Sequence, residues 1–199
     1  MIKTTSMLLE EYNNYSDSYG KIRRLRQEGK LFLLKKGIYE TNGTLPGYFF
    51  SSIIYGPSYL SLDYALSKYG MIPETVHEYT AVTCLKGKKK YYHNHFGDYS
   101  YQDIPSAAYP FEINIVEESA YYYKIATPEK ALCDKLYKLS PVNNISEIKE
   151  LLFDNLRIDY DAFVKLNFDT LTKLAELYNS NNLRNFNKMI RREFRGKYN

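Results

Sequence analysis

The stretch from Lys21 to Tyr39, KIRRLRQEGKLFLLKKGIY, constrains the fold of this chain more than any other. Ile22, Leu25 and, by continuation, Leu31 fall on one line at helical spacing, while Lys21, Arg23, Arg24 and Arg26 project elsewhere. That spacing predicts a basic helix. Gly29 closes it, because glycine takes the left-handed conformation after a helix without a Cβ penalty. Leu31-Phe32-Leu33-Leu34 then reads as a strand, Lys35-Lys36-Gly37 as a tight turn with two cations at its tip, and Ile38-Tyr39 as the return strand.

A helix, a tight turn and a two-stranded wing is the layout of a winged helix-turn-helix, in which the helix enters the major groove and the wing touches adjacent phosphate. Between Lys21 and Lys36, seven cations (Lys21, Arg23, Arg24, Arg26, Lys30, Lys35 and Lys36) stand against one anion, Glu28. The local charge of +6 exceeds the +4 of the whole chain. These seven are the candidate DNA-binding residues. The three arginines suit base and phosphate contacts, since a guanidinium reads guanine bidentately, and the lysines suit phosphate. A run of this kind is otherwise a solvated basic face. One small module seldom supplies enough affinity, so a monomer in solution is expected to place two copies on an inverted repeat of duplex DNA.

Upstream, Thr4, Thr5 or Ser6 caps a short helix through Met7, Leu8, Leu9 and Tyr12, and Ser16 or Asp17 caps the basic helix. Only two helices precede the wing, where a full winged module usually has three. Downstream, Thr41 to Pro46 has linker composition. The chain therefore divides into a winged helix-turn-helix over 1–43 and a larger domain over 44–199.

Gly47 to Tyr55 is an apolar run that fits a buried helix or a strand. Ser61 is expected to cap a helix with Leu62, Ala65, Leu66 and Tyr69 on one face, ended by Gly70. Then the period changes. Tyr79 to Leu85, Tyr91 to Phe96, Tyr99 to Ile104, Phe111 to Glu117 and Tyr121 to Ile125 are short, rich in Tyr, Val, Ile and Thr, and predict a small, largely antiparallel sheet. Lys86 to Lys90 reads as a solvated hairpin turn between two of them, with phosphate contact as the competing reading. Thr127-Pro128-Glu129 starts a helix with Leu132, Leu136 and Leu139 on its apolar face. Ile145 to Leu156, Tyr160 to Leu166, Leu171 to Tyr178 and Leu183 to Phe194 carry helical spacing as well. The last is basic: Arg184, Lys188, Arg191, Arg192, Arg195 and Lys197 oppose only Glu193, which suits either a solvated face or a second nucleic-acid surface. The fold class is α+β.

A hydrophobic content of 44% with 25% charged residues describes a globular chain, not a disordered one. Cys84 and Cys133 have no CxxC spacing and Met1 to Glu10 does not resemble a leader, so a reducing, cytoplasmic location is expected. Apolar runs are too short to cross a bilayer, and no membrane association is expected.

The histidines are His77, His93 and His95. His93-x-His95 on a strand would point both rings to one face, but no Cys or carboxylate stands at a ligand spacing, so no metal or cofactor is expected. Neither a P-loop nor a G-x-S-x-G elbow occurs. Glu129, Lys130 and Asp134 form the best catalytic candidate, a set that a metal-dependent nucleic-acid hydrolase could use. The competing reading is preferred: Glu129 offsets the helix dipole and Lys130 forms a helix-surface ion pair with Asp134 at i+4, so the chain is expected not to be an enzyme. A third reading is a protein-interaction module alone.

Ile125 to Tyr137, IATPEKALCDKLY, resembles the most recognisable segment of the AbiEi family, the antitoxins of abortive-infection toxin–antitoxin pairs. Tyr59-Leu60-Ser61-Leu62-Asp63-Tyr64-Ala65-Leu66 with Gly70 is similar to that family's Y-x-S-x-x-x-A-L helix start, although Tyr64 stands where the family more often has a small residue. Leu25, Gly29 and Leu31 with Lys36-Gly37-Ile38-Tyr39 resemble its wing. The resemblance implies an N-terminal winged domain that represses its own promoter. It also implies a C-terminal domain that counteracts a nucleotidyltransferase-like toxin, a functional partner that need not be a physical one.

Overall fold

Ile2–Thr4 (β1) opens the chain as a strand and leads into two helices, Thr5–Glu11 (α1) and Ser18–Gln27 (α2). Thr4 caps α1 by accepting the Met7 N–H at 3.2 Å, and Asp17 caps α2 by accepting the Gly20 N–H at 2.7 Å. At its far end α2 stops at Gly29, whose φ of +67° lets Lys30 N–H return to the Leu25 carbonyl at 2.9 Å. The hairpin Phe32–Lys35 (β2) and Ile38–Glu40 (β3) follows, and β1 adds to its outer side to give a three-stranded antiparallel sheet ordered β1-β3-β2. The sequence pattern does not reveal β1, which has only three residues to show a period. Leu8, Ile22, Leu31 and Tyr39 close the small core of this first unit.

The larger part begins with a 3₁₀ turn, Gly47–Phe50, and a short helix, Ser51–Ile54 (α3), which resolves the apolar run as helical. Tyr59–Leu60 (β4), Leu62–Lys68 (α4), Tyr79–Thr83 (β5), Lys90–Asn94 (β6), Gly97–Asp103 (β7), Ile113–Glu118 (β8) and Tyr121–Ala126 (β9) come next. The remaining elements are helical: Pro128–Lys138 (α5), Ile145–Lys149 (α6) continuing as a π-helical stretch over Glu150–Asn155, Tyr160–Phe163 (α7), Phe168–Glu176 (α8) and Asn181–Glu193 (α9). The computed structural model describes residues 1–194, and the arrangement is α+β.

The main sheet departs from the expected antiparallel one. Its order is β6-β7-β5-β4-β9-β8, and two of its five pairings, β5 with β7 and β4 with β9, are parallel. The reason lies in the connection after β5. Lys86 to Lys90 is not a hairpin turn, because the chain steps past the position of β7 before β6 begins, and β7 then fills the gap. Asp103 on β7 orders this crossing: its carboxylate accepts the backbone N–H groups of Lys86 and Gly87, each at 2.6 Å, and the Thr83 hydroxyl at 2.5 Å. Burial pushes the Asp103 carboxyl up, but these donors and Lys138 outweigh it and hold the group below the usual carboxylate range.

Two hairpins of the large sheet grip the first unit. From the β6–β7 turn, the Asn94 amide donates to the Leu34 carbonyl at 3.0 Å, and the His95 ring stacks on Phe32 at 4.3 Å while its Nε2 lies 2.9 Å from the Gly43 carbonyl oxygen. Phe32 in turn lies flat on Gly43, where a Cβ would sit 2.2 Å from the ring. From the β8–β9 turn, Tyr121 donates to the buried Glu40 carboxylate at 2.9 Å. Leu34 belongs to the main core, so β2 shares its side chains between the two cores.

Candidate nucleic-acid interface

Helix α2 carries few apolar residues. Ile22 is buried and Leu25 half-buried, which leaves Arg23, Arg24 and Arg26 on the solvent side. None of the three makes a salt bridge or side-chain hydrogen bond to a described residue. Arg23 and Arg26 line one side of a groove of about 590 Å³, whose other side is the β6–β7 turn with His93, Asn94 and His95 and whose floor includes Leu31, Phe32 and Leu33. His93 is held there by Asp98, Nδ1 to Oδ1 at 2.6 Å. Arg24 does not line this groove.

The seven candidate cations therefore separate. Lys21 lies 5.0 Å from the centre of the Tyr15 ring, a cation–π contact that ties it to the connection before α2. Lys30 pairs with Glu28 at 2.8 Å, and that ammonium, with Lys21 and Arg24 nearby, holds the Glu28 carboxyl below its ordinary value. Lys35 and Lys36 sit at the β2–β3 turn, where the Gly37 carbonyl accepts the Thr5 N–H at 3.0 Å and so fixes the turn against the start of α1. This turn is the opposite end of β2 from the groove. Two patches result: guanidinium groups along α2 and two ammonium groups at the turn.

Two further basic stretches complete the surface. Lys88, Lys89 and Lys90 are exposed at the start of β6. On α9, Arg184 bonds Asn181 and Arg191 pairs with Glu176 at 2.7 Å, leaving Lys188 and Arg192 exposed; Arg195 and Lys197 lie outside the described residues.

The alternative catalytic set is arranged quite differently. Lys130 and Asp134 are fully buried, which corrects the expected surface ion pair. Partners from several elements enclose them: the Lys130 ammonium donates to the Ala108 carbonyl at 2.6 Å and the Tyr178 hydroxyl at 2.5 Å and lies 3.3 Å from Asp134. Asp134 accepts from Ser61 and Tyr178, each at 2.6 Å, and from Tyr59 at 3.1 Å. Burial pushes the Asp134 carboxyl up and the Lys130 ammonium down, toward their neutral forms, and their mutual attraction and these hydrogen bonds pull back. Glu129 faces away and accepts the Asn167 N–H at 3.0 Å. The three residues do not converge on an open site. Among the described residues no group of three or more His, Cys, Asp or Glu is placed to hold a metal ion, and His93 and His95 are engaged separately by Asp98 and Gly43.

This network also redirects Ser61. Its hydroxyl goes to Asp134 and makes no capping bond to α4, so α4 begins with Leu62 at φ +56° and takes its first side-chain support from Thr80, whose Oγ1 accepts the Tyr64 N–H at 3.0 Å. Tyr59 and Ser61 come from the segment that runs to Gly70, and Lys130 and Asp134 from the segment between Ile125 and Tyr137. The two segments meet here. Tyr178, which bridges the pair, shows itself in the sequence only as the end of a helical stretch.

No protein-family model matches this chain, and a search of curated proteins finds no match.

Proposed function

We propose that this chain binds duplex DNA through α2 and the β2–β3 turn, acting as a winged helix that represses its own promoter, and that it is the antitoxin of a toxin–antitoxin operon. The observation that supports DNA binding is the set of Arg23, Arg24 and Arg26, exposed and unpaired with any described residue on a helix whose apolar side is anchored by Ile22. Exposed guanidinium groups with no ion pair to a described carboxylate are available to base edges and phosphates at no cost in broken ion pairs. Arg23 and Arg26 share a side of the helix and take the base-reading role. Arg24, Lys35 and Lys36 take phosphates. Lys21 and Lys30 have internal partners and contribute less.

The antitoxin half of the proposal stands on the three segments that resemble AbiEi proteins. Their meeting at the Lys130–Asp134 network gives two of those segments a common structural task, which supports reading them together. The toxin on this reading is a nucleotidyltransferase-like enzyme encoded beside this chain.

Band-shift titration with the DNA upstream of the gene tests the first half: binding that weakens steeply with salt and disappears in Arg23→Ala with Arg26→Ala is expected, and equal binding by that variant would overturn it. Co-expression with the neighbouring gene tests the second. Growth arrest that this chain does not relieve would remove the antitoxin role and leave the DNA reading intact.

A further inference from the structure

The two edges of the six-stranded sheet are protected unequally. Lys88 and Lys89 lead into β6 and Lys90 begins it, and its far end is met by the first unit through Asn94 and Leu34. Lysines and a covered end both discourage a strand edge from accepting another strand. The β8 edge carries no lysine, and only its turn end is met, by Glu40 through Tyr121 and by Tyr48 through Glu118. Ile113-Asn114-Ile115-Val116-Glu117-Glu118 holds an unbroken register with β9 over six residues, contains no Lys or Pro, and pairs with no other described strand. On the outer face of this ribbon Ile115 is 67% exposed and Tyr122 61%.

We propose that β8 pairs antiparallel with β8 of a second copy of this chain. The residue order supports the chain itself as the occupant. For the outer faces of two copies to lie together across a two-fold axis, opposed residues must share a face, so their numbers share parity. With Val116 opposite itself, Ile115 meets Glu117 of the second copy and Asn114 meets Glu118, and no carboxylate opposes another. A two-fold through Ile115 would instead set Glu118 against Glu112. Charge complementarity completes the match: Lys124 is the cross-strand neighbour of Ile115, and neither it nor Glu117 has an ion-pair partner among the described residues. Its stem can cover Ile115 and carry the ammonium to Glu117 of the second copy. One strand pair buries a small area, so the dimer is weak and concentration-dependent. The inference is independent of DNA binding.

Sedimentation of the full chain over a wide concentration range tests it. The mass is expected to rise from one copy to two, and Ile115→Glu, which sets a carboxylate against Glu117 of the second copy, should hold it at one copy with an unchanged circular dichroism spectrum. In a Cys84→Ser background, Val116→Cys should oxidise to a two-chain species while Tyr91→Cys on β6 should not. A one-copy mass at the highest concentration, or equal cross-linking at positions 116 and 91, would overturn the proposal.

Discussion

Helices α2 and α5 both carry cations, yet they use them in opposite ways. In α2 a narrow apolar stripe around Ile22 and Leu25 anchors the helix, and Arg23, Arg24 and Arg26 remain in solvent. In α5, Lys130, Ala131, Leu132, Cys133, Asp134 and Leu136 are all buried, so a charge at position 130 must be matched inside. Asp134 matches it one turn later, and three hydroxyls satisfy the remaining oxygen positions. The difference teaches that a helix's width of burial, more than its charge, decides whether its ions stay in solvent or hold the fold. Burial also pushes the enclosed Cys133 thiol up, leaving it inert beside the pair.

The largest effect that separates the two helices is on stability. Asp134→Ala strands a buried ammonium and three hydroxyls, and a destabilisation of about 3–5 kcal/mol is expected in denaturant unfolding. Lys130→Met combined with Asp134→Leu should cost less than the single change, since no lone charge remains. A single change that costs no more than the pair would mean the network is not closed. Next in size, Arg23→Ala and Arg26→Ala should each cost operator binding about 1–3 kcal/mol while moving stability by no more than about 0.5 kcal/mol. Substantial unfolding by either arginine change would erase the contrast between the helices.

Much of the local structure was legible because it rests on neighbours in the chain. Asp17, Gly29 and Thr127 stand where capping chemistry requires them, and the strand segments after Tyr79 follow their period. What could not be read depends on partners far away in sequence. The crossing from β5 to β6 looked like a hairpin because Gly87 suits one, and only Asp103, 16 residues on, reveals what holds it. Lys130 and Asp134 at i+4 describe a surface pair equally well until Tyr59, Ser61 and Tyr178 are brought against them. A leucine at 132 and 136 alone could not show that α5 is covered on more than one side. The seven cations were legible as a charge but not as two patches, because Tyr15 and Glu28 take up Lys21 and Lys30.

A smaller effect lies where the two parts meet. Glu40 is buried, which raises its carboxyl, yet the chain's first amine, the Asn42 N–H and the Tyr121 hydroxyl more than offset that and hold it below its ordinary value. Its contribution to stability is complete above the unfolded carboxylate range and is lost as pH falls through the lower folded value. Glu40→Gln should flatten the decline in unfolding midpoint between about pH 5 and 3. Tyr121 is the other half of this contact; burial and then Glu40 push its hydroxyl up to about 12. Tyr121→Phe should cost about 1 kcal/mol, read by thermal unfolding at neutral pH. If neither change alters stability, the contact between the β8–β9 turn and the first sheet is not a seam that the fold depends on.

The smallest effect concerns the turn at Lys35 and Lys36. These cations stand at the opposite end of β2 from the α2 groove, so they reach a duplex only if it extends past the helix toward the start of α1. Every phosphate that a cation neutralises adds about 0.9 to the slope of log affinity against log salt. Lys35→Gln with Lys36→Gln should therefore flatten that slope by about 1.8 while preserving the preference for operator over random DNA, because ammonium groups on phosphate carry no base information. The arginine changes on α2 should do the reverse, lowering the preference more than the slope. A lysine pair whose removal leaves the slope unchanged would confine the duplex to α2, and the turn would then be a solvated corner of the small sheet and not a wing.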